Sequence, residues 1–171
     1  MAQVSFSGTS TTTVSSQSLL SVSSGSVSCY NSAQVALAQS NAVISGGGLA
    51  LSDMAVLSAT SAFIQVNGGL VTAASMSSLT LAQSTLAITA NGLQLSGSSI
   101  LTSTFSTISI AGGSLSMVGS TTWTATQTKV GISSGSVLLG GHQASLTAST
   151  ISVSGGSLSV VTAAIVSLSS S

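Results

Sequence analysis

The chain has 171 residues, 43 of them Ser and none Pro; Arg and Glu are absent, and Asp53 and Lys129 are its only charged residues. Charged residues make up about a quarter of an ordinary domain, so a formal net charge of zero with 1% charged residues leaves no basic patch for phosphates and excludes nucleic-acid binding. The 43% hydrophobic content excludes the disorder that a Ser-rich chain would otherwise suggest, because it supplies ample material for a core.

Residues 1–17 are predicted to form a partial N-terminal coil. Met1 to Ser7 carry neither the cationic flank nor the apolar stretch of a secretory signal. An extracellular or cell-surface location is expected, reached after signal removal or by another export route. No apolar run approaches the roughly 18 residues of a membrane helix.

Residues 18–171 are predicted to be one domain of repeats. A glycine column runs Gly25, Gly47, Gly69, Asn91, Gly113, Gly135, Gly156. Asn91 is the informative exception, since Asn is the non-Gly residue that best tolerates positive φ. The column therefore predicts a tight corner with a conformational requirement. Before each corner lie Val22, Ile44, Val66, Ile88, Ile110, Ile132 and Val153, and two residues earlier Leu20, Ala42, Ile64, Leu86, Ile108, Val130 and Ile151. After it come Val27, Leu49, Val71, Leu93, Leu115, Val137 and Leu158, then Cys29, Leu51, Ala73, Leu95, Met117, Leu139 and Val160. A later segment adds Val35, Leu57, Leu79, Leu101 and Trp123, after which the register slips near Leu146.

Each segment alternates apolar with small polar residues, the period of a strand with one buried face. The expected fold is all-β: a single-stranded parallel β-solenoid of about seven 22-residue coils with three short strands per coil, right-handed by the crossover rule. Equivalent residues then stack at about 4.8 Å. Stacking accounts for the missing charges, since a charge repeated each turn would face its copy. Hydroxyls both donate and accept and so tolerate it.

Catalysis by carboxylates needs at least two of them, or one with a base. Asp53 falls in the second turn, His142 in the sixth, and Lys129 more than three turns from Asp53, so no pair can meet and no enzyme activity is expected. One His, one Cys and one Asp in separate places make no metal site, and no cofactor is predicted. His142 shares a column with Met54 and Met76 and reads as a corner filler. Cys29 reads as a buried thiol, Trp123 as core, and Asp53 and Lys129 as solvated single charges.

Two functional expectations follow. Neither end of the sequence carries a charged or Pro-bearing blocker, and open strand edges are templates for further strands. The expected partner is therefore the protein itself, stacked end to end and possibly side by side. The Ser/Gly/Val repeats resemble the shafts of filamentous-haemagglutinin-type adhesins, a resemblance that implies a filament, sheath or fibre subunit. The alternative rests on Thr80, Thr102, Thr124 and Thr147 in one outward column, with Thr60, Thr104 and Thr126 two residues on. Flat Thr arrays on regular solenoids resemble hyperactive antifreeze proteins, which implies ice as the partner.

Overall fold

A computed structural model describes residues 2–15, 17–140, 143–161 and 165–169. These hold 23 strands and no helix. The first coil is β1 (Ala2–Phe6), β2 (Thr11–Ser15) and β3 (Leu19–Ser23). The second is β4 (Gly25–Cys29), β5 (Gln34–Ala38) and β6 (Asn41–Ser45), and the third β7 (Leu49–Leu51), β8 (Val56–Thr60) and β9 (Phe63–Asn67). Then come β10 (Leu70–Ala73), β11 (Ser78–Ala82) and β12 (Thr85–Ile88), followed by β13 (Asn91–Leu95), β14 (Ile100–Thr104) and β15 (Thr107–Ile110). The sixth coil is β16 (Gly113–Met117), β17 (Thr122–Thr126) and β18 (Lys129–Ile132), and the seventh β19 (Val137–Gly140), β20 (Gln143–Thr147) and β21 (Thr150–Val153). Two strands of a further coil follow, β22 (Leu158–Val161) and β23 (Ile165–Ser169).

Every third strand pairs in parallel, giving three sheets around one core. Sheet A runs β1-β4-β7-β10-β13-β16-β19-β22, sheet B runs β2-β5-β8-β11-β14-β17-β20-β23, and sheet C holds the seven strands from β3 to β21. The segment expected as a partial coil contributes β1 and β2, which sit in full register on β4 and β5.

The step is 22 residues except at two corners. Ala2 faces Gly25 and Thr11 faces Gln34, a step of 23, but Leu19 faces Asn41, a step of 22. The extra residue therefore lies between β2 and β3. Leu115 faces Val137, a step of 22, but Trp123 faces Ala144, a step of 21. The missing residue lies between β19 and β20, which locates the slip expected near Leu146.

The inward rows are those predicted from the 22-residue period, and their members in the middle coils are almost wholly buried. Burying such side chains contributes roughly 1.5–3 kcal/mol each. Sheet B has a second inward row that the aliphatic pattern did not mark, Leu37, Ala59, Leu81, Ser103, Ala125 and Leu146. Its small members make room for Trp123, which is fully buried beside Ala125 and Ala144 and donates its Nε1–H to Ser103 Oγ at 3.4 Å.

Candidate functional site

The outward face of sheet B carries the threonines. Thr80, Thr102 and Thr124 occupy one position on β11, β14 and β17. Thr104, Thr126 and Thr147 occupy the position two residues later on β14, β17 and β20. Thr147 was expected beneath Thr124, but the 21-residue step moves it beneath Thr126, and Ser145 takes the place facing Thr124. Thr60 belongs to the same row as Thr104, separated from it by Ala82. The result is two contiguous three-rung rows, about 4.8 Å between rungs and about 6.6 Å between rows. Ser169 extends the second row and donates its hydroxyl to Thr147 Oγ1 at 3.1 Å.

The glycine column has a different cause from the one expected. Among its members only Asn91 has positive φ, at 68°, and its Nδ2 donates to the Gly68 carbonyl at 3.1 Å. Gly25, Gly47, Gly69, Gly113, Gly135 and Gly156 are absent from the positive-φ residues. From Gly47 onward these glycines are required by rung-to-rung contact: a Cβ on Gly47, Gly69, Gly135 or Gly156 would overlap the carbonyl of the preceding glycine in the column, and one on Gly113 the backbone of Asn91. Positive φ falls one residue earlier, at Ser24, Gly46, Gly68 and Gly155.

The other two corners also turn through the left-handed region, mostly without glycine. Between sheets B and C the column is Gln17, Gln39, Ser61, Gln83, Phe105, Gln127 and Ala148, with φ from 48° to 60°. Their N–H groups donate to carbonyls of the next rung, as Gln83 does to Thr104 and Phe105 to Thr126, both at 2.9 Å. The next residue carries a hydroxyl turned inward. Ser84, Ser106, Thr128 and Ser149 each donate to the carbonyl two residues back, at 2.8–3.1 Å. The hydroxyls of Ser84, Ser106 and Ser149 accept the N–H of Ala62, Ser84 and Thr128 on the rung before.

Between sheets A and B the turning residues are Gly8, Asn31, Asp53, Ser75, Gly97 and Gly119. Asp53 is therefore a corner residue, with φ 59° and its Oδ2 accepting the Asn31 N–H at 3.1 Å. Met54 and Met76 stand exposed beside it, while His142, placed in their column, lies outside the described residues. Lys129 is exposed at the start of β18, between Thr107 and Thr150. Cys29 is buried, and burial pushes its thiol from 9.0 to about 11. Among the described residues no three of His, Cys, Asp and Glu come together, and no helix is long and apolar enough to cross a membrane.

The two ends of the solenoid differ from its middle. In the last coil Leu158 and Val160, members of the inward rows, are 56% and 53% exposed. An open hollow of about 360 Å³, lined by Leu139, Leu146, Ile151, Leu158 and Val160, marks that end of the core. At the other end Val4, Phe6, Val14 and Leu20 are only partly buried. No family model, curated protein or solved structure matches this chain.

Proposed function

We propose that the chain is a structural β-solenoid subunit of an extracellular filament, sheath or adhesin-like fibre, and that it assembles by stacking end to end. The observation that carries this reading is the exposure of Leu158 and Val160 over an open apolar hollow. Solenoids that remain single molecules close such ends with polar caps. The flanks support the same reading: they are uncharged apart from Asp53 and Lys129, so no electrostatic repulsion opposes close approach of copies. Electron microscopy and sedimentation velocity over a concentration series test it. Fibres and a growing sedimentation coefficient are expected; a monomer that persists at high concentration, without fibres, rejects it.

A second reading is favoured by one specific observation, the two in-register rows Thr80–Thr102–Thr124 and Thr104–Thr126–Thr147. Methyl and hydroxyl groups repeated at regular spacing on a nearly uncharged face suit an ordered-water surface such as ice. Thermal hysteresis measures it directly. On this reading the wild-type chain shows activity that Thr102→Tyr with Thr124→Tyr abolishes; a wild-type chain without hysteresis removes it.

A further inference from the structure

The direction of the backbone groups makes the two ends of the solenoid complementary. In sheet A the inward residues turn their N–H and C=O toward the following rung. Val27 N–H donates to Gly48 O, Leu115 to Ser136 O and Val137 to Ser157 O, at 2.8–3.0 Å. Cys29 O accepts from Ser52 N–H, Leu51 O from Ala74 and Ala73 O from Ser96. Outward residues turn theirs toward the preceding rung, as Tyr30 N–H does to Phe6 O. Sheets B and C obey the same rule: Gln39 N–H reaches forward to Thr60 O, and Phe63 N–H reaches back to Ser40 O.

Among the described residues β1 and β22 are the outermost strands of sheet A. By this rule β22 presents forward the groups of Leu158 and Val160, and β1 presents backward those of Gln3 and Ser5. One end thus offers the inward parity and the other the outward parity, as two adjacent rungs inside the molecule do.

We infer that β22 of one copy pairs in parallel with β1 of a second copy, Leu158 facing Val4 and Val160 facing Phe6, with β23 against β2. This rests on the end-to-end reading above and specifies its joint. Leu158 N–H then donates to Gln3 O of the second copy, and Ser7 N–H of the second copy to Val160 O. The apolar side chains of β1 continue the inward rows and cover the open hollow.

Joining like ends fails on geometry. Turning one copy over reverses the order of the three sheets around the axis, so alignment of sheet A on sheet A puts sheet B on sheet C. The joint is therefore polar, and repetition gives an unbranched fibre. Sheet C has one strand fewer than A and B among the described residues. At the joint β21 and the next copy's β3 therefore stand two strand spacings apart, about 9.6 Å, and sheets A and B carry the contact.

Ser5 and Ser159 are exposed members of one outward row, and the joint places them on adjacent strands. Strand neighbours about 4.8 Å apart lie within the Cα separation that a disulfide spans. Two single variants, Ser5→Cys and Ser159→Cys, are oxidised each by itself and together as a mixture, with the wild-type chain controlling for Cys29. The inference predicts covalent dimer in the mixture well above that in either variant by itself, and a ladder of covalent oligomers from the double variant. Equal cross-linking of each variant by itself overturns it. Fibres in the microscope with no cross-link in the mixture also overturn it, while leaving end-to-end assembly to another joint; a chain that stays monomeric overturns both.

Discussion

At the scale of single residues, the corners contain the chemistry that hydropathy does not register. The buried hydroxyls of Ser84, Ser106 and Thr128, and the half-buried hydroxyl of Ser149, connect rungs where a polar group would otherwise be stranded. The ladder breaks at Ala62, which has no oxygen to accept the Ser40 N–H as Ser84 and Ser106 do for Ala62 and Ser84. Ala62→Ser is expected to raise stability by about 1 kcal/mol, measured by urea unfolding; an unchanged or lower midpoint contradicts the role given to the ladder.

Cys29 gives the alkaline response. Its thiol ionises near 9.0 when exposed and near 11 in the fold, so between those values the unfolded chain has released a proton that the native chain retains. Stability is therefore intact below pH 9 and falls as pH rises toward 11. Cys29→Val removes that component of the decline, and superimposable pH profiles of the two proteins would refute the assignment.

These residues also mark where sequence reasoning stops. Val, Ile and Leu at alternate positions declare a buried face, and every aliphatic row read at the 22-residue step is an inward row. Ser84 and Thr128 have the same composition as the outer face and gave no signal that they are buried. Gln39, Gln83 and Phe105 gave none that they turn through positive φ, since their conformation is imposed by hydrogen bonds to the next rung rather than by their own preference. Thr147 lies one row away from the Thr124 column because the one-residue deletion between β19 and β20 shifts the later columns, a change that hydropathy alone does not position.

At the scale of strands and corners, glycine is used for contact more than for torsion. Gly135 and Gly131 separate the two effects. Neither has positive φ; a Cβ on Gly135 would overlap the carbonyl of Gly113, whereas one on Gly131 meets nothing within 4 Å. Gly135→Ala is expected to lower the thermal midpoint clearly, because backbone must shift at a corner stacked on both sides. Gly131→Ala, on the exposed face of β18, is expected to be neutral or to gain about 0.4–1 kcal/mol by restricting the unfolded chain. Equal losses in the two variants would show that the column is not set by rung contact.

The same economy governs the core. Trp123 fits because its neighbours across and along the sheet are Ser103, Ala125 and Ala144. Trp123→Ala leaves a cavity in that layer and is expected to cost about 3–5 kcal/mol by chemical denaturation. A loss below about 1 kcal/mol would mean that the layer collapses around it.

For the whole molecule, nearly every backbone group in the middle coils is engaged with the rung above or below, and the hydroxyl surface carries almost no charge to keep copies apart. On the end-to-end reading the first and last described coils are the surfaces that meet, and their hydrogen-bonding parities match only in one direction. X-ray diffraction from an aligned preparation tests assembly along this axis. Stacking end to end places the strand repeat, about 4.8 Å, on the meridian, parallel to the long axis of the fibre. A 4.8 Å reflection on the equator, or a preparation that yields no fibre to align, would contradict it.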